Sequence, residues 1–143
     1  MIFERPGRNV ERIFLHCSAS DEETLEGDAL VGTIREWHLA RGFQDVGYHF
    51  LIDKQGKIMK GRDIQMMPAA QKGHNAHTIA IMVHGLTGFT SESLNACHYL
   101  CKQINVAYKG RVSFHGHCEV SNKTCPVFNY KGLLNLDSWQ RMP

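Results

Sequence analysis

A chain of 143 residues is the size of one ordinary domain and can bury one sizeable core. Charged residues at 21% and hydrophobic ones at 43% suit a soluble globular protein. A net charge of only +2 excludes a strong field drawing the chain to nucleic acid or a membrane surface. No stretch approaches the roughly 20 apolar residues a bilayer-spanning helix needs. The first residues carry Glu4, Arg5, Arg8, Glu11 and Arg12 and no apolar centre, so 1–11 reads as a polar N-terminal arm rather than a secretory signal. Synthesis in a cytoplasm is the expectation. Five cysteines, an odd count, argue for reduced thiols over a disulfide framework, and nine histidines hint at metal or acid–base chemistry.

No repeat, low-complexity tract or Pro/Ser-rich linker divides the chain, so 1–143 is expected to form a single domain. In chain order, Arg12 to His16 is a short apolar run that predicts a buried strand, and Ser18 to Asp21 opens a loop. Asp28 is a fitting N-cap for a helix from Ala29 to Ala40. Leu30, Ile34, Trp37 and Arg41 share one face of it, with Trp37 in the core and Gly42 as the stop. Tyr48 to Ile52 reads as a strand, Asp53 to Gly56 as a turn and Lys57 to Lys60 as the antiparallel return. Arg62 to His77 is rich in turn formers. Thr78 to His84 is the most β-like run and belongs mid-sheet.

Ser91 is placed to cap a long helix reaching about Ala107, with Leu94, Cys97, His98, Cys101 and Ile104 on one face. Arg111 to Phe114 predicts a last strand, His115 to Pro126 a loop, and Asn129 to Leu136 a short closing helix. The mixture of strands and helices, with one hairpin, predicts an α/β (α+β) domain built on a mixed central sheet flanked by helices.

Three residues stand out as metal ligands: His16, His117 and Cys125. Two imidazoles and a thiolate suit zinc, which prefers N and S donors in a tetrahedron. Three protein donors leave a fourth position for water, the arrangement of catalytic rather than structural zinc, and zinc brings the pKa of such water to about 7. His115 competes with His117 for the role. Cys97 and Cys101, one helical turn apart, form a second thiol pair, although a helix face turned to the core explains them as well. Cys17 and Cys118 adjoin candidate ligands and read as packing residues.

Four segments carry a resemblance over nearly the whole chain: I-F-L-H-C-S-A-S at 13–20, I-R-E-W-H at 34–38, D-V-G-Y-H-F-L-I at 45–52 and G-H-C-E-V-S-N-K-T-C-P at 116–126. In order and spacing they resemble the N-acetylmuramoyl-L-alanine amidases of the bacteriophage lysozyme type, relatives of the peptidoglycan recognition proteins. The resemblance implies the zinc amidase fold, one Zn2+ per chain on His16, His117 and Cys125, and hydrolysis of the amide between N-acetylmuramic acid and L-alanine. It selects His117 over His115. It implies that Tyr48 and Lys123 surround the water and the scissile carbonyl, and that His74 and Asn75 border the substrate groove. Where family members commonly carry a His before the K-G-x-N segment and a Gly after the following S-I, Ala70 and Ala80 stand here. His49, alternating with Tyr48, is expected to face the other way and to be structural.

The partner implied is peptidoglycan, acted on by a monomeric phage endolysin that stays in the host cytoplasm until the membrane is opened. Phage lysozymes of this type also bind the phage RNA polymerase. Two alternatives are a recognition module that holds muropeptide without cutting, against which Cys125 speaks, and a bacterial enzyme recycling soluble muropeptides.

Overall fold

The computed structural model describes residues 3–143; Met1 and Ile2 of the expected arm lie outside them. Five strands, β1 (Arg12–Cys17), β2 (Phe50–Ile52), β3 (Ile58–Lys60), β4 (Thr78–Val83) and β5 (Ser113–Gly116), form one sheet in the order β3-β2-β4-β1-β5. Only β3 runs antiparallel to its neighbour. The mixed sheet expected from the sequence is therefore present, with the T-I-A-I-M-V run at its centre. A parallel strand covered on both faces needs apolar side chains throughout, and every residue of β4 is buried.

Helices α1 (Gly27–Ala40) and α2 (Ser91–Ala107) cover opposite faces of the sheet. Ile13, Leu15, Ile79 and Ile81 pack with Cys97, Leu100, Cys101 and Ile104 of α2, while Met82 and Leu51 pack with Leu30, Val31 and Ile34 of α1. The two-residue period of a strand then sends Phe14 and His16 to the α1 side. A short helix α3 (Tyr130–Leu133) closes the chain, shorter than expected because Leu134 already caps it and Asn135 turns to a positive φ of 51°. The arm is no free tail. Phe3, Pro6 and Val10 are buried, and Arg8 Nε donates to the Ile64 carbonyl.

Several boundaries differ from the sequence reading. Asp28 does not cap α1; Glu26 holds the cap position without a side-chain bond, and Asp53 of the hairpin turn accepts from the Gly27 N–H at 2.9 Å instead. Trp37 is 44% exposed, and its neighbour His38 takes the inward place in line with Leu30 and Ile34. The i, i+4, i+8 row wins over i+7, and the His38 ring is satisfied inside by accepting from the Gly47 N–H at 2.8 Å. Thr90, not Ser91, caps α2 by accepting from the Ser93 N–H. On α2 Leu100 is buried, whereas Leu94 and His98 are only half-buried. β5 begins at Ser113, because Arg111 is held in the turn that ends α2, donating its N–H to the Tyr108 carbonyl. His115 therefore lies in the strand, not the loop.

Candidate metal centre and active-site cleft

His16 sits near the end of β1 with 1% of its surface exposed. Its Nε2 lies 2.9 Å from Gln71 Oε1, and the amide nitrogen of Gln71 donates to Thr78 Oγ1 (2.8 Å) and the His74 carbonyl (3.3 Å). Those two acceptors fix the amide with its oxygen toward His16. An oxygen can only accept, so the ring proton is on Nε2 and the lone pair on Nδ1. That nitrogen faces Cys125 Sγ at 3.9 Å.

His117 opens a 3-10 turn (His117–Glu119) directly after β5, where the chain leaves the sheet beside β1. Its ring centroid is 4.7 Å from that of His16. Glu119 anchors this turn: it accepts from the Gly116 N–H (2.8 Å), Tyr130 Oη (2.6 Å) and His115 Nδ1 (2.9 Å), and from Gln140 Nε2. Burial works against its charge, but these donors outweigh it and hold the carboxyl below its ordinary value. The Cys125 carbonyl accepts from the Cys118 N–H at 2.7 Å, which returns the loop to β1.

One donor atom each from His16, His117 and Cys125 thus lies within 4.8 Å of the others. Tetrahedral zinc with N and S donors sets an N···S separation of about 3.6 Å, close to the His16–Cys125 spacing. The electrostatics fit as well. Burial, then the neighbouring His117, His38 and Lys123, take His16 to about 3 against the Gln71 hydrogen bond, and burial followed by Lys123 lowers His117. Both imidazoles are therefore neutral at pH 7, as ligation requires. The neighbouring Cys17 thiol, then burial, push the Cys125 thiol above its ordinary value, and Cys125 in turn draws Cys17 down. A metal held at Cys125 Sγ would keep that sulfur as the thiolate, and the Cys17 N–H already donates to it at 3.1 Å.

Two of the three donors, His117 and Cys125, line a cleft of about 660 Å³ whose walls also include Tyr48, Lys123, Asn75, Arg41, Lys72, Phe43 and His38; the buried His16 is not among its lining residues. No carboxylate is among its lining residues. Tyr48 precedes β2 instead of lying in it; its ring is 5.1 Å from His16 and 5.3 Å from His38. Burial pushes its phenol well above the usual range, so it stays protonated. Gly47 is required beside it, since an added Cβ would collide with the Ala69 carbonyl. Lys123 is exposed on the loop between the ligands. Asn75 lines the cleft, yet its Oδ1 accepts from the Ala70 and Gln71 N–H groups, shaping the loop. His74 is not on the cleft wall; it contributes its carbonyl to Gln71.

Ala70 is a wall residue, while Ala80 is buried in β4 and donates its N–H to His49 Nδ1. His49 is 1% exposed and takes no part in the cleft. Cys97 and Cys101 are buried in the core under α2, and Cys118 packs half-buried against that core. Gln71 escaped the sequence reading altogether; a glutamine in a turn-rich stretch carries no sign of burial.

The profile of the N-acetylmuramoyl-L-alanine amidase family matches residues 6–128. The endolysin of Klebsiella phage KP32 is 34% identical over 87% of this chain and 85% of its own. The endolysin of Escherichia phage T7 is 34% identical over 86% and 84%. Among solved structures, the N-acetylmuramoyl-L-alanine amidase LysC from Clostridium intestinale superposes with a TM-score of 0.77 at 24% identity, covering 90% of this chain and 85% of that one, a likeness of fold. With a family match across most of its length and relatives above 30% identity, this chain belongs to the N-acetylmuramoyl-L-alanine amidases and is an amidase.

Proposed function

We propose that this chain is a zinc-dependent endolysin that hydrolyses the amide joining N-acetylmuramic acid to the L-alanine of the peptidoglycan stem, with the metal on His16, His117 and Cys125. The observation that carries the reading is the convergence of those three donors, from β1, the turn after β5 and the loop beyond it, within 4.8 Å at the cleft. The phage endolysins among its relatives support the lytic role.

Zinc, when bound, supplies Lewis acidity that acidifies water and polarises a carbonyl. The chain's own groups do the rest. Gln71 keeps the His16 lone pair on Nδ1. Tyr48 remains a neutral phenol at the cleft wall, able to donate a hydrogen bond to the reacting oxygen or orient the attacking water. Lys123 brings a positive charge on a flexible stem to where an oxyanion develops. A cleft without carboxylates suits a stem peptide that carries its own.

Purified sacculi incubated with the protein test this. Clearing should release glycan strands and peptides with a free N-terminal L-alanine, stop on chelation and return with added zinc. Clearing at an unchanged rate after the metal is stripped defeats the mechanism. Binding to a phage RNA polymerase is a separate proposal supported by the phage relatives; failure of the two proteins to associate at micromolar concentration ends it.

A further inference from the structure

Lys123 is carried by the loop that runs from His117 to Cys125. The Cys118 N–H closes the base of that loop on the Cys125 carbonyl at 2.7 Å, and the Val120 N–H donates to the His117 carbonyl at 3.1 Å. Beyond Ser121 the chain is exposed through Asn122, Lys123 and Thr124. Among the described residues the N–H groups of Asn122 and Thr124 make no hydrogen bond. Ser121 is placed otherwise. It is half-buried on the cleft wall, and its hydroxyl donates to the His117 carbonyl at 3.2 Å and accepts from the Lys123 N–H at 3.2 Å. The carbonyl can only accept, so it takes the hydroxyl proton and leaves the oxygen free to accept from Lys123. That contact is the one hydrogen bond Lys123 makes among the described residues. A single hydroxyl thus links the backbone of Lys123 to the backbone of a candidate metal ligand.

We propose that Ser121 is a positioning residue for the amidase reaction: its hydroxyl fastens the Lys123 backbone to the His117 carbonyl and so sets which part of the cleft the ammonium reaches. The inference rests on the role given to Lys123 above. A lysine ammonium rides on a long flexible stem, so the backbone it starts from decides the volume it samples. Ordering that backbone before the reaction spares the transition state the cost, and small displacements of a reacting group are expensive. The contact of Ser121 with His117 is to the carbonyl and not to a ring nitrogen, so removing the hydroxyl leaves the donor set in place.

Amide hydrogen exchange of the purified protein, followed by NMR, reads the tie without turnover. After correction for intrinsic rates, the Lys123 amide should exchange about fivefold more slowly than those of Asn122 and Thr124. Ser121→Ala should erase that difference, and Ser121→Thr, which keeps the hydroxyl, should retain it. With zinc loaded and a soluble muropeptide as substrate, Ser121→Ala should lower kcat about 3–10-fold with KM and zinc affinity unchanged. Ser121→Thr should keep kcat near that of the unaltered protein. A Lys123 amide as unprotected as its neighbours in the unaltered protein overturns the proposal, whether or not any variant folds. Unchanged kcat in Ser121→Ala overturns it too, as does a joint fall of kcat and zinc affinity, since the hydroxyl would then act through His117. Undiminished kcat in Lys123→Ala defeats the role given to Lys123 itself, a result separate from the protection of its amide.

Discussion

Replacing Gln71 by Ala tests how the centre is held. Gln71 is fully buried and hydrogen-bonds the ligand set through the 2.9 Å contact to His16 Nε2. Removing it frees the ring to exchange tautomers and leaves a buried N–H without an acceptor. Losing an orienting partner of a metal-bound histidine weakens metal binding by about 10–100-fold, or ~1.4–2.8 kcal/mol. Gln71→Glu should do the reverse, since a carboxylate raises the basicity of the ring it orients. The assay is competition for zinc against a chelator of known affinity, with thermal unfolding run alongside because Gln71 also donates to Thr78 and the His74 carbonyl. A folded Gln71→Ala protein with unchanged zinc affinity refutes the reasoning, because His16 would then need no orientation.

Asn75→Ala should also lower zinc affinity, since Asn75 Oδ1 holds the Gln71 backbone N–H; combined with Gln71→Ala the losses should fall short of their sum. Lys123→Ala should abolish clearing of sacculi with zinc content still near one per chain; retained clearing removes Lys123 from the mechanism. Acid should weaken the fold through His49. Its Nδ1 accepts from the Ala80 N–H, and burial first, then the Arg8 and Arg62 charges, lower it from 6.5 to about 4. Below pH 6.5 the unfolded chain binds the proton and the folded one does not. The stabilisation is therefore complete above 6.5 and is lost as pH falls toward 4, on the order of 2 kcal/mol between about pH 7.5 and 5. Urea unfolding of the protein beside His49→Asn at both pH values should show a shallower fall in the variant; equal falls contradict the assignment.

The parts of this protein legible from sequence are those where one local rule acts alone. β4 is apolar from Ile79 to Val83 because both its faces are covered, so its central place shows in its composition. His16 ends an apolar run, and a polar side chain buried at a strand end needs a partner. The motifs around Tyr48, His117 and Cys125 marked them, whereas their spacing could not, since they meet only through the crossings that set β5 beside β1.

What stayed hidden was decided at a distance. The start of α1 is capped by Asp53 from the hairpin, so Asp28 looked like the cap. Trp37 and His38 competed for the inward row, and the Gly47 N–H settled it by giving the imidazole a donor. Gln71 is fixed by Thr78, His74 and His16 together, and no pattern in the chain near position 71 reports that.

In the proposed centre, two imidazoles and one thiolate hold a zinc ion with one corner kept free for chemistry. X-ray absorption at the zinc edge of the purified protein measures this directly. The account predicts two nitrogen neighbours at about 2.0–2.1 Å, one sulfur at about 2.3 Å and one further light atom that azide or a substrate analogue displaces. A second sulfur or a third imidazole in the shell, or no zinc in an active protein, contradicts it.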